Sequence, residues 1–423
     1  MFAAYLVLFS WLVTKVKFFT KSGITAPQLI ILFLLKVMAG IFYGWIGVFY
    51  GEMAQMIDTW AYHQESLNEY ALLRKDPIEF FTSLFQNNYG GYGKFLSTEN
   101  SWWNDVKANF LIKIMAVFNL FSFGNYYVNV IFYSFLTFFG PIALYRVMRS
   151  VFPDARMPVL IACFLVPSFL YWTSGLHKEG LIFTCLAMIC YQVYFSFQRK
   201  RIRMTGILII LVSLACLLIL RNFLILLLVP PLFSWVLSQR FRSRSVLIFT
   251  GVTILFLAMF FVAPQLDPRL DFADATVHRQ GEFLQLGGGS AVEVKRLEPT
   301  ARSFAALAPQ AFALSTIRPY PSDVKHLLSL AASVEINFLL AFFLLFLFFR
   351  KKEHLPTTPF LLFCIFFSFG VLMMIGYTVN ILGAIVRYRS IVFPLLVVPM
   401  AARMDWARLT RIANTYISKG NNM

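Results

Sequence analysis

Apolar runs of about 17 to 23 residues recur along the chain, and each is long enough as helix to cross ~30 Å of hydrocarbon. They lie near 28–50, 126–145, 157–173, 180–197, 205–220, 223–237, 246–263, 328–349, 357–379 and 384–402. Residues 2–14 form a shorter run. Lys15, Lys17 and Lys21 follow that run, whereas a cleaved signal peptide carries its positive charge ahead of the apolar stretch. It therefore reads as a first span. The pattern predicts an all-α, polytopic membrane protein of about eleven transmembrane helices, with 1–423 as a single membrane domain and no internal repeat.

Two long polar intervals, 51–108 and 264–327, separate these runs. In the first, Tyr62, Leu67, Tyr70, Leu72, Phe80, Phe81, Leu84 and Phe85 recur near helical spacing. Asp76-Pro77 marks a break and a restart. Two amphipathic helices lying in the membrane interface are expected there. Residues 103–121 repeat the pattern, with Val106, Phe110, Ile114, Val117 and Phe121 on one stripe and Asn104, Lys107 and Lys113 off it. Between them, NNYGGYGKF places Gly90, Gly91 and Gly93 where backbone could approach a ligand closely or simply form a loop.

Composition agrees with a chain that lives in lipid. Apolar residues make up 59%, charged residues 13%, and the mean hydropathy is +0.70, outside the range of soluble domains. With the N-terminus outside, the inward-facing segments hold Lys15, Lys17, Lys21, Arg146, Arg149, Arg156, Arg199, Lys200, Arg201, Arg203, Arg240, Arg242, Arg244, Arg350, Lys351, Lys352, Arg403, Arg408, Arg411 and Lys419. Only Asp154, Glu353 and Asp405 of the 20 acidic residues accompany them. That segregation is the positive-inside bias, and it explains the net charge of +17 without a nucleic-acid partner. Cys163, Cys185, Cys190, Cys216 and Cys364 all fall in apolar runs, so no disulfide is expected.

The remaining polar residues carry the candidate chemistry. Asp58 opens the first outer interval, and a carboxylate at that surface can take a proton from a hydroxyl. The stretch 157–197 has basic residues beyond both ends and must cross twice, which puts His177, Lys178 and Glu179 at its outer tip. By the same reasoning Arg221 lies at the turn of 205–238. Arg387 and Arg389 sit inside the last apolar run. Arginine presents a planar fork of donors that suits phosphate, so Arg221, Arg387, Arg389, His177 and Lys178 form a candidate phosphate-binding set. His278-Arg279 and Arg318-Pro319 are candidate loop contacts, and Glu335 is a candidate buried partner for one of the arginines. Trp60, Trp102, Trp103 and Trp172 fit an aromatic belt and could also stack on sugar rings. Asp271 and Asp274 at i, i+3 could share a divalent cation, but no spacing assigns a metal site or any other cofactor.

These residues resemble the GT-C superfamily of integral-membrane glycosyltransferases. The features shared are Asp58 within DTWAYH, amphipathic helices behind it, a multi-span body and basic residues at outer helix ends. The stretches FSFGNYYVNVIFYSFLTFFGPIALYRVMRSVFP and PSFLYWTSGLHKEGLI are similar in flavour to bacterial members, and the likeness extends loosely over residues 28–260. The resemblance implies a multi-pass protein of the bacterial inner membrane, N-terminus out and C-terminus in. It implies transfer of a sugar from a polyprenyl-phosphate carrier to a lipid, glycan or protein acceptor on the periplasmic side. Asp58 would be the catalytic carboxylate, with His63 orienting it or serving as base. Arg387, Arg389, Arg221 and Lys178 would neutralise the departing lipid phosphate. A polysaccharide polymerase or ligase of the O-antigen type, led by Arg279, Arg296, Arg302 and Arg318, is the nearest alternative. A flippase or transporter of lipid-linked glycans, with charges near the midplane such as Lys36 and Glu335, is another.

Overall fold

The long apolar runs form helices, the form in which such a segment satisfies its own backbone N–H and C=O groups where lipid would supply no partner. A computed structural model describes residues 1–49, 57–87, 89, 91, 101–351, 358–411 and 414. Gly90, Gly93, Lys352, Glu353 and Lys419 lie outside the described residues. The helices are α1 (Phe2–Leu12), α2 (Lys17–Thr20), α3 (Ala26–Phe49), α4 (Ile57–Lys75), α5 (Pro77–Thr82), α6 (Trp102–Ser122), α7 (Tyr126–Val151), α8 (Arg156–Phe164), α9 (Pro167–Ser174) and α10 (Lys178–Arg199). There follow α11 (Met204–Arg221), α12 (Phe223–Ser238), α13 (Ser245–Leu266), α14 (Phe272–Leu286), α15 (Ala301–Thr316), α16 (Leu327–Phe349), α17 (Pro359–Thr378), α18 (Leu382–Ser390) and α19 (Phe393–Arg403). Among the described residues, strand pairing is confined to two isolated bridges, Ala291 with Ile381 and Arg350 with Met404.

By length and composition, seven of the described helices can cross a membrane, or nine if each of two bent pairs is one span. The expected runs 157–173 and 384–402 are these bent pairs. The helix α8 meets α9 at 50°, and α18 meets α19 at 60°. In both, a proline near the start of the second half disfavours continuous helix behind it, Pro167 in α9 and Pro394 in α19. The runs at 2–14 and 223–237 form α1 and α12, apolar but too short to span unaided.

Burial orders the bundle. In α7, 72% of the apolar window is inside the protein, against 11% for the helix ending at Leu266 and 17% for α16. Thus α7 is central, while α13 and α16 present side chains such as Leu247 and Phe348 to the surroundings. Small residues let helices close: Gly140 of α7 faces Thr184 and Phe183 of α10, and Gly376 of α17 lies against the Ala311 backbone of α15. The five cysteines are free, and Cys163, Cys190 and Cys364 are buried.

Two polar devices fix the end of the bundle that carries the site. The short helix α9 has both termini satisfied by charged side chains from other helices. Glu335 of α16 accepts from the Ser168 backbone N–H at 2.7 Å, and Lys36 of α3 donates to the Thr173 carbonyl at 2.8 Å and to Ser174 at 3.4 Å. An acid at the N-terminus and a base at the C-terminus each complement the helix dipole. Glu335, expected as a partner of an arginine, lies within electrostatic reach of Arg389 and also bonds helix backbone, because a broken helix frees N–H groups that an acceptor must satisfy.

The second device holds α4. Asp76 caps α5, accepting from the Ile78 and Glu79 N–H groups at 3.0 Å, which confirms the expected break. Asn119 of α6 donates to the Ser66 carbonyl and hydroxyl at 3.2 and 3.0 Å, and Asn129 of α7 donates to Asn119 at 2.7 Å. Lys113 reaches Glu69, the Phe80 carbonyl and Ser83 at 2.6–2.9 Å. Lys107 and Lys113, off the apolar stripe of α6, are buried, as is Val106 on the stripe, while Val117 and Phe121 at its far end are exposed.

Glycine 376 offers a direct check on this packing. A methyl group there would overlap the Ala311 carbonyl, whereas one at Gly251 would meet nothing within 4 Å. Gly376→Ala is expected to lower the thermal midpoint of the purified protein in detergent by several degrees, with Gly251→Ala unchanged. Equal midpoints would show that α15 and α17 do not approach so closely.

Candidate functional site

Residues far apart in the chain meet where α4 begins, α10 begins, α11 ends and α18 runs past them. The tip between α9 and α10 is a tight turn in which the His177 N–H bonds the Gly175 carbonyl at 2.7 Å. The Tyr133 hydroxyl donates to the His177 carbonyl. This turn places His177 at the N-cap of α10 and Glu179 in its first turn, where a carboxylate gains from the helix dipole.

Glu179 is the hub. Its side chain is 0% exposed. One oxygen accepts from Arg221 at 2.7 Å and lies 3.7 Å from Arg387 Nε. The other oxygen meets His177 Nδ1. Arg387 also places Nη1 3.5 Å from His177 Nε2. The histidine therefore bridges Glu179, at Nδ1, to Arg387 and Asp58, at Nε2.

Asp58 faces this cluster from α4. Its side chain is 45% exposed, with Oδ2 at 3.9 Å from His177 Nε2 and 3.8 Å from Arg387 Nη1. Its neighbours hold it there. Thr59 bonds the Tyr126 hydroxyl at 2.8 Å and the Leu176 carbonyl at 3.2 Å, and Trp60 stacks on Tyr126 while donating to the Gly44 carbonyl at 2.9 Å. Partial burial pushes the Asp58 carboxyl up, but the hydrogen bond and charge of His177, with Arg387 and Lys178, outweigh it. The net effect holds its pKa below the ordinary carboxylate value.

Aromatic rings back the guanidinium groups. Arg221 lies 4.2 Å from the Tyr388 ring centre, and Arg387 lies 5.0 Å from the same ring and 5.8 Å from Trp172. Arg387 also donates to the Tyr388 hydroxyl at 3.2 Å. Lys178 sits over Tyr62 at 5.8 Å. Trp172 and Trp60, candidates for a sugar platform, are engaged in packing, Trp172 buried against Tyr43.

Of the expected set, Asp58, His177, Arg221 and Arg387 converge, with Lys178 alongside. Arg389 does not join them. It is buried on the far side of α18 and donates to the Ser315 and Arg318 carbonyls at 3.1 and 2.5 Å, because residues two apart on a helix point in different directions. His63 also departs. Five residues beyond Asp58 on α4, it turns away and packs edge-on against Trp60 and Tyr126 at 5.9 and 5.3 Å, and burial lowers its pKa. The histidine beside Asp58 is His177. Arg318 pairs with Asp323 at 3.3 Å, and Arg279 is buried with its guanidinium 4.4 Å from the Phe223 ring. Asp271 caps α14 through the Asp274 N–H at 2.8 Å. Among the described residues no group of three or more His, Cys, Asp or Glu side chains could hold a metal ion.

Glu179, expected at the hairpin tip as a carboxylate the arginines could pair with, does pair with Arg221 and approach Arg387; Tyr388 was not among the residues singled out. Glu179 had a visible signal, an acid at a hairpin tip one residue from a lysine and two from a histidine. Tyr388 had only its place between two arginines. No family model, curated protein or solved structure matches this chain, so its chemistry rests on this geometry.

Removing the hub would strand the buried Arg221 guanidinium, a loss of about 3–5 kcal/mol for a broken buried pair. Glu179→Gln should therefore unfold at markedly lower temperature in detergent than Asp58→Asn, and equal midpoints would deny Glu179 this role. Because the folded-state pKa of Asp58 is depressed, its ionised form adds stability above the unfolded value of 3.8. That stability is lost as pH falls through the folded value. Acid unfolding curves of wild type and Asp58→Asn should converge at low pH; a constant gap would contradict the shift.

Proposed function

We propose that the protein is a membrane glycosyltransferase that moves a sugar from a polyprenyl-phosphate-linked donor to a hydroxyl of a lipid, glycan or protein acceptor. The observation that carries this reading is the meeting of Asp58, His177 and Arg387 within 4 Å of one another. A half-exposed carboxylate beside an imidazole is suited to take a proton. A guanidinium next to it is suited to meet negative charge.

In the proposed step the acceptor oxygen forms a bond to the anomeric carbon as its proton passes to Asp58. The bond from that carbon to the phosphate oxygen breaks, and the phosphate leaves with the electron pair. Asp58 is the base. His177 stands behind it as a relay, with Glu179 fixing its orientation, and Arg387 steadies the charge as it moves. Divalent cation use is left open.

The reading includes a topology. Counting α1, α12 and each bent pair as crossings gives eleven spans in a bacterial inner membrane, with the N-terminus outside and the C-terminus inside. The basic segments then fall within, and Asp58, His177, Arg221 and Arg387 fall at the periplasmic side. The loop arginines that a polymerase would use are placed differently. Arg296 and Arg302 are exposed, and Arg318 is paired with Asp323. Lys36 and Glu335, the charges a transporter reading relied on, satisfy the ends of α9.

The test is sugar transfer in membranes supplied with labelled polyprenyl-phosphate sugars. Asp58→Asn should lower turnover by roughly 10²–10⁴-fold, the usual worth of a general base, and Arg387→Ala should lower it comparably. Unchanged product from Asp58→Asn would remove the proposed base, and flux of lipid-linked sugar across the membrane without product would point to transport.

A further inference from the structure

Two cations beside this centre have no counter-charge of their own. Lys107 of α6 and Arg279 of α14 are 8% and 7% exposed. Arg279 stacks on Phe223, and neither makes a hydrogen bond or ion pair with another described residue. The charges reaching Lys107 are Arg279 and Glu282 from α14, Lys178 from α10 and Arg221 from α11. On its own helix, Lys113 is committed to Glu69. Burial, then the three cations, outweigh the attraction of Glu282 and push the Lys107 amine down to about 7. Burial, followed by Arg221 against the opposing Tyr388 and Glu282, brings Arg279 down to about 10.

Charge balance around the combined site is uneven. Glu179 is shared by Arg221 and Arg387, Asp58 faces Arg387, and Glu282 lies 3.3 Å from His278. Among the described residues, the bases Lys107, Lys178, Arg221, Arg279 and Arg387 stand against three carboxylates, Asp58, Glu179 and Glu282, and an anion beside Lys107 would favour its charged form. Buried like charges held together are costly, and such an arrangement is relieved by an anion. Arg279, its face covered by Phe223, keeps the donor edges of its guanidinium for that anion.

We infer that Lys107 and Arg279, with Lys178 and Arg221 at its edge, form an anion site adjoining the Asp58 centre that takes a phosphate group. The site is defined by these charges and stands whether or not Asp58 moves a proton. It leaves Arg389, which points elsewhere, out of the phosphate site. The phosphate could belong to a lipid headgroup or be free in solution.

Thermal unfolding of the purified full-length protein in detergent tests this without any transfer assay. In the absence of anion, Lys107→Met and Arg279→Gln relieve repulsion and should match or exceed the wild-type midpoint. Inorganic phosphate or dodecyl phosphate should raise the wild-type and Asp58→Asn midpoints and leave both variants unmoved. A larger rise with dodecyl phosphate assigns the lipid source, and a larger rise with inorganic phosphate assigns the soluble one. Midpoints that fall sharply in both variants without anion, or rise equally with anion in wild type and variants, would overturn the site. So would the absence of any rise in wild type at millimolar concentrations of either probe.

Discussion

The buried carboxylate of Glu179 is the interaction on which the site depends. A lone ionised carboxylate in so dry a place would cost many kcal/mol, and a lone arginine would cost as much. Placed together, with hydrogen bonds to Arg221 and His177 and with Arg387 3.7 Å away, the charges become tolerable. The same contacts determine geometry. One residue orients His177, holds the end of α11 through Arg221, and draws α18 toward α10 through Arg387. Asp58 then needs only to be brought alongside.

That last step is the work of α4, and its attachments are polar for a physical reason. A hydrophobic seam between helices in lipid gains little, because the lipid chains are as apolar as the seam. Hydrogen bonds with specific partners do better. Ser66 with Asn119 and Asn129, Glu69 with Lys113, and Thr59 with Tyr126 set α4 against α6 and α7. The same logic explains α9, whose termini are held by Glu335 and Lys36. Its C-terminal end leads directly into the turn that presents His177 and Glu179, so charges deep in the bundle support a site at its rim.

Much of this was legible from the chain. Apolar run length and the Asp76-Pro77 restart located the helices, and basic residues beyond both ends of 157–197 put His177 and Glu179 at a tip. What stayed hidden depended on rotation about helix axes. Arg387 and Arg389 are two residues apart, which on a helix separates their directions by more than a right angle; only the first could face the tip. His63 fails beside Asp58 for the same reason. The burial of Lys107 and Lys113 was hidden because a polar face in a membrane protein can be the one that turns inward. The bends at Pro167 and Pro394 split two runs that hydropathy alone reads as continuous. No periodicity could show that Glu335 and Lys36 would be used by one short helix.

The central claim is that Glu179 and Arg387 act as a coupled pair that assembles the site. A double-mutant cycle on thermal or denaturant unfolding, using Glu179→Gln, Arg387→Gln and both together, addresses it directly. The account predicts that the double variant loses less stability than the two single losses combined, with a coupling of about 1 kcal/mol or more. Losses that add to within about 0.5 kcal/mol would mean the two charges do not depend on each other, and the site as described would not exist.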